Sequence, residues 1–70
     1  MTDKTSKYIA TQLRQIRLKK DLTQVELARI AGINSNYYAK IERSDLKPSV
    51  ETLEKIIKAL GVKSSDVFPF

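Results

Sequence analysis

Cysteine and histidine are both absent from this 70-residue chain, so it holds no disulfide, no thiolate or imidazole metal site and no Cys- or His-based catalytic pair. Most hydrolytic chemistry is excluded with them. A domain this small in an oxidising compartment usually carries disulfides, and their absence points to the cytosol. No apolar run approaches the roughly 18 to 20 residues that cross a bilayer, and residues 1–20 lack the apolar centre of a signal peptide, which predicts a soluble chain that is not exported. The eight acidic residues include no recognisable acid/base pair, and there is no Gly-rich phosphate loop, so neither an enzyme, nor a cofactor, nor a small-molecule substrate is expected. A surface-active membrane helix is excluded too, because the basic first helix has no aromatic bulk apart from Tyr8.

What is present is a composition of 41% hydrophobic and 30% charged residues with two Gly and two Pro. That is a folded domain rather than a disordered or fibrous chain. Residues 1–70 are enough for one domain, with a core near the lower limit of what folds alone. The net charge of +5 and pI near 9.7 favour a polyanionic partner, nucleic acid first. The charge does not locate a binding face, because residues 1–20 carry the whole excess, with Asp3 their one acid.

No segment alternates strictly, and the apolar spacing predicts an all-α fold of five helical segments. Ile9, Leu13 and Ile16 recur at i, i+4, i+7 in the first, which should stop near Lys20 and turn at Asp21. The second opens on a capping box, Thr23 with Glu26, framed by the staple positions Leu22 and Leu27, and Gly32 follows it as the residue suited to φ > 0. Asn34 caps a third helix to about Arg43, residues 44–48 form a polar loop, and Ser49 caps a fourth. There Val50, Leu53, Ile56, Ile57 and Leu60 occupy one arc, Glu51 with Lys55 and Glu54 with Lys58 make i, i+4 pairs, and Gly61 ends the helix with Val62 placed against Ile57. A fifth segment starts at Ser64 or Ser65 and carries Val67 and Phe68. The expected core is Ile9, Leu13, Ile16, Leu22, Leu27, Ala28, Ala31, Ile33, Tyr38, Ile41, Leu53, Ile56, Ile57 and Leu60.

Two short helices joined by a tight Gly turn across residues 23–43 have the dimensions of a helix-turn-helix. With Ser35 set at zero and about 100° per residue, Ala39, Arg43, Asn36 and Lys40 fall at about 40°, 80°, 100° and 140°. They form one polar face. Tyr37, Ile41 and Tyr38 fall at about 200°, 240° and 300°, on the side that packs inward. Ser, Asn and Lys beside a small Ala suit the edges of bases in a major groove, and a merely solvated amphipathic helix has the same pattern.

The segment LTQVELARIAGINSNYYAKIER resembles the helix-turn-helix of the Xre and Cro/phage-repressor family, and KPSVETLEKIIKALGV resembles that family's fourth helix. The likeness covers about residues 9–68 and rests on L-T-Q-x-E-L-A, the turn A-G-I, the closing I-E-R and P-S-x-x-T-L in order. It implies a five-helix, lambda-repressor-like bundle that binds double-stranded DNA and regulates transcription. The alternative is a protein-interaction module of the same fold, an antitoxin or bridging factor.

Carried over by position, the resemblance implies that Gln24 bonds a DNA phosphate, against the plain reading of an exposed first-turn residue. Ser35, Asn36 and Lys40, with Ala39 between them, match base-facing positions. Tyr37 either contacts the DNA backbone or lies across the edge of the core, while Arg43 and Lys47 either grip phosphate or are solvated. Arg17 and Glu42 match a partly buried salt bridge that is structural. Val67, Phe68 and Phe70 either make the contact of a homodimer or fold back as core, and a two-fold dimer implies a palindromic operator. The chain departs from the family at Asp21, where Gly is frequent, at Val25 and Ile30, which stand at polar positions and predict a small exposed apolar patch, and at Ser35, which is short for a base reader.

Overall fold

A computed structural model describes residues 4–70, so Asp3, the one acid of the basic N-terminal stretch, lies outside them. The chain forms four α-helices: α1 Lys4–Lys19, α2 Gln24–Ala31, α3 Ser35–Glu42 and α4 Val50–Leu60. The expected fifth helix is instead a single 3₁₀ turn, Ser64–Asp66. Val67 still has right-handed helical backbone and bonds back to Ser64, but Pro69 disfavours helical backbone at the residue before it and the turn goes no further. There is no strand among the described residues.

The helix starts follow the local chemistry. Thr23 Oγ1 accepts the Glu26 N–H at 3.0 Å while Glu26 Oε1 accepts the Thr23 N–H at 2.8 Å, closing the capping box. Those bonds hold the Glu26 carboxyl below the usual carboxylate range. Asn34 Oδ1 accepts from the N–H groups of Asn36 and Tyr37, and Ser49 Oγ from that of Thr52.

All four helices stop in the same way. After α1 the N–H of Leu22 reaches the carbonyl of Arg17 and that of Asp21 reaches Leu18; after α3 the N–H groups of Asp45 and Ser44 reach Lys40 and Ile41. Ile33 and Gly32 repeat the pattern on Ala28 and Arg29, as do Val62 and Gly61 on Ile57 and Lys58. Each is a Schellman turn with one residue in the left-handed region. Glycine fills that place twice, but Asp21 (φ 57°) and Ser44 (φ 61°) fill it with a Cβ. Left-handed backbone is strained for an L side chain, less so for Asp than for Ser. Asp21→Gly and Ser44→Gly should each raise stability by about 0.5 to 1 kcal/mol, Ser44→Gly more, since Gly's freedom in the unfolded chain offsets part of the gain. Thermal unfolding should then shift up by roughly 2 to 8 °C per substitution; no rise at either site would mean that the loops relax the strain by other means.

The core is built from Leu13, Leu27, Ala28, Tyr38, Ile41, Leu53, Ile56, Ile57 and Leu60, joined by Val67. Ile9, Ile16, Leu22, Ala31 and Ile33, expected inside, are half-buried and pack on its edge. Ala10, which the spacing did not assign to the core, is buried. Val50 lies at the first position of α4 and at the edge of its apolar arc, and it is 82% exposed rather than turned inward. Val25 and Ile30 are exposed on α2, as their departure from the polar pattern predicts. The Glu51/Lys55 and Glu54/Lys58 pairs do not close: the ion pairs of the described residues are Arg17–Glu42 and Arg43–Asp45. Exposed i, i+4 pairs contribute only a few tenths of a kcal/mol, too little to order two long side chains.

Val67 corrects the expectation of a contact between copies. It is fully buried within its own chain. The N–H groups of Val67 and Phe68 turn back to the carbonyl of Ser64, and Gln12 Nε2 donates to the carbonyl of Asp66 at 3.1 Å, tying the tail to α1. Phe68 is half-buried against the core and stacks on Phe70, ring centroids 5.6 Å apart, while Phe70 is 87% exposed.

Candidate nucleic-acid interface

α2 and α3 meet across the Gly32 turn, α2 also packs on α4, and α3 packs on α1. α3 is anchored by Tyr38 and Ile41, both buried. With that side fixed, helix geometry turns Asn36, Lys40 and Arg43 to the exterior, where all three are exposed, and leaves Ser35 and Ala39 half-buried beside them. The small side chains thus lie low on a face whose longer ones stand out, a relief that admits a ridge of stacked bases.

The rotation of α3 about its axis is fixed by a buried polar cluster. Arg17 Nε and Nη2 donate to Glu42 Oε2 and Oε1 at 2.7 and 3.0 Å, and Arg17 Nη1 donates to the carbonyl of Leu22 at 2.8 Å. The two side chains are only 9% and 3% exposed. The Tyr38 hydroxyl donates to Glu42 Oε2, and Gln24 Nε2 donates to Oε1 at 3.0 Å. One carboxylate therefore collects α1, α2 and α3. Burial alone would push Glu42 up, but the hydrogen bonds of Arg17, Tyr38 and Gln24 and the charge of Arg17 hold it below the usual carboxylate range. Its carboxylate in turn raises Arg17 against the effect of burial. Burial first, and the bond to Glu42 second, push the Tyr38 phenol well up.

The other residues singled out in the sequence fall around this face. Gln24 is half-buried at the start of α2, with one amide hydrogen committed to Glu42 and the second left for another acceptor. Arg43 Nε pairs with Asp45 Oδ2 at 2.8 Å across the Ser44 turn, both side chains more than half exposed. Lys47 is exposed in the loop before α4. Tyr37 is half-buried, its hydroxyl 3.5 Å from Thr52 Oγ1. The bonds of Gln24 and Tyr38 to Glu42, the Arg43–Asp45 pair and the Tyr37–Thr52 contact were not foreseen. Of these, Arg43–Asp45 and the i, i+4 pair Tyr38–Glu42 on α3 are close enough in sequence for spacing to suggest them.

The sequence pattern of the helix-turn-helix family matches residues 13–67, which takes in α2, α3, α4 and the buried Val67. The chain belongs to the Xre-like helix-turn-helix family. Among the relatives of this helix-turn-helix protein, control protein C.BamHI of Bacillus amyloliquefaciens is 37% identical over 71 residues, covering 100% of this chain and 88% of that protein. The immunity repressor of Bacillus phage phi105 is 39% identical over 59 residues, 84% of this chain, which spans 41% of the repressor's length. Among solved structures, the restriction-modification controller C.Esp1396I, a tetramer in complex with its natural 35 base-pair operator, is similar with a TM-score of 0.87 and 28% identity over 91% of this chain and 84% of that one.

No helix among the described residues is long and apolar enough to cross a membrane.

Proposed function

We propose that this chain is a sequence-specific double-stranded DNA-binding transcriptional regulator, one cytoplasmic domain that binds a palindromic operator as a homodimer with α3 in the major groove. The observation that carries this reading is the outward polar face of α3, fixed in rotation by Tyr38, Ile41 and the Arg17–Glu42 pair. On it, Ser35, Asn36, Ala39 and Lys40 read base edges. Gln24, Tyr37, Arg43 and Lys47 surround them and bond phosphates, which sets register. The exposed Arg43–Asp45 pair is weak enough to yield its cation to a phosphate. No catalytic step enters this reading.

We keep Phe68 and Phe70 at the dimer contact and take Val67 out of it. With Val67 inside, an apolar groove remains that is lined by Val50, Leu53, Ile57 and Phe68 together with Glu54 and Lys58, with Phe70 exposed. A self-complementary contact of two copies suits such a surface. Two-fold symmetry sets the two α3 helices about 34 to 36 Å apart, one turn of B-DNA. That C.Esp1396I is a tetramer on its operator supports assembly of several copies on one duplex.

Titration of fragments of the source genome by fluorescence anisotropy at two salt concentrations tests the reading. A preferred fragment bound by two chains per palindrome is expected, with affinity that falls by roughly 10³-fold or more between 50 and 200 mM salt if six or more phosphates are contacted. Shallow salt dependence with no preferred fragment would instead favour the antitoxin or bridging-factor role.

A further inference from the structure

Ser49, Thr52 and Tyr37 form a row of three hydroxyls that joins the start of α4 to the first turn of α3. Ser49 Oγ accepts the Thr52 N–H at 3.1 Å and donates its own proton to Thr52 Oγ1 at 3.0 Å. A hydroxyl has one proton to give. With that of Ser49 spent on Thr52, Thr52 can give its own to Tyr37 Oη, 3.5 Å away, in a contact where either oxygen can be the donor. The Tyr37 proton is then left for an acceptor outside the protein. In the reverse order Thr52 would accept from both neighbours and turn its own proton to solvent.

We propose that Thr52, backed by Ser49, is a positioning residue that makes the Tyr37 hydroxyl an outward hydrogen-bond donor to a DNA phosphate. The inference rests on the DNA-binding reading above. Phosphate oxygens only accept, so a tyrosine whose proton is held inward meets the anion with a lone pair and is repelled, whereas one whose oxygen is already supplied from inside meets it with a proton. The 3.5 Å separation is long for two hydroxyls. It shortens on binding, because a phenol that gives its proton to an anion becomes a better acceptor in a chain of hydrogen bonds. Tyr37 follows Asn36 directly, and both backbone N–H groups share Asn34 Oδ1, so the contact also registers the first turn of α3 against the duplex.

The test is a double-mutant cycle on a fragment preferred by the unsubstituted protein. Thr52→Val keeps the shape and the N–H that Ser49 caps but removes the hydroxyl, and Tyr37→Phe removes the donor. Tyr37→Phe should weaken binding about tenfold, as for loss of a hydrogen bond to a charged group. Thr52→Val should weaken it at least about threefold, similarly on every duplex, as a phosphate contact does. The double variant should bind no worse than Tyr37→Phe, and Thr52→Ser should restore the affinity. Urea midpoints identify the folded variants, which a purely structural role would disturb without coupling to Tyr37. Thr52→Val binding like the unsubstituted protein, losses that multiply in the double variant, or no rescue by Thr52→Ser would each overturn the relay and leave the regulator reading in place. Absence of any preferred fragment for the unsubstituted protein would overturn both.

Discussion

Arg17→Ala is expected to lower the unfolding free energy by about 3 to 5 kcal/mol, the cost of leaving a buried charge without its partner. The carboxylate of Glu42, 3% exposed, would keep only Tyr38 and Gln24 as donors, and the carbonyl of Leu22 would lose its partner as well. A domain of this length has roughly 4 to 10 kcal/mol in total, so the variant should lie at or near the edge of folding at 25 °C. Urea unfolding reads the loss as a lower midpoint at unchanged slope. Arg17→Lys should recover only part of it, because an ammonium cannot reach both carboxylate oxygens and the Leu22 carbonyl in one plane. A loss under about 1 kcal/mol for Arg17→Ala would show that the cluster does not hold α3.

The same cluster gives stability a limit at each end of the pH scale. Glu42 binds its proton less tightly folded than unfolded, so its contribution is complete above about pH 4.3 and declines as the pH falls below it. Tyr38 holds its proton more tightly folded than unfolded, so its contribution is complete below about pH 10 and declines above it. Urea midpoints followed from acid to alkali should show both limbs, and Tyr38→Phe should flatten the alkaline one. An alkaline limb unchanged in Tyr38→Phe would assign it to other groups.

Asn36→Ala and Lys40→Ala should each cost about 1 to 3 kcal/mol on the preferred duplex and relax the preference at the base pair that each reads. Both side chains stand on the exposed face of α3 and neither shares the Glu42 cluster, so urea stability should be nearly unchanged. Gln24→Ala and Arg43→Ala should weaken all duplexes alike. Equal losses from the two groups on every sequence would remove direct base reading and leave only attraction to the backbone.

Much of the architecture was legible because its signals are short. Thr23 with Glu26, Gly32, Asn34, Ser49 and Gly61 each act within a few residues, and each stands at the helix end where its chemistry places it. Val50 and Val67 misled for the opposite reason. Whether an apolar residue near the end of an element is covered depends on where a distant segment lies, and Val67 is inside only because the tail folds back over the core. Arg17 and Glu42 are 25 residues apart, and no periodicity connects them; the family resemblance did. The links of Gln24 to Glu42 and of Thr52 to Tyr37 carried no comparable sign, since a residue's partner across the bundle leaves no local pattern, whereas Tyr38 and Glu42 stand at i, i+4 on α3.

The four identical helix stops bear on how quickly the protein acquires its shape. α2 and α3 have eight residues each, too few to persist in water on their own. Because every reversal is written within about six residues of chain, α2 and α3 meet with little loop to close, and a small helical bundle of this kind refolds in microseconds to milliseconds. A newly made chain would then present its reading helix almost as soon as residues 23–43 have somewhere to pack.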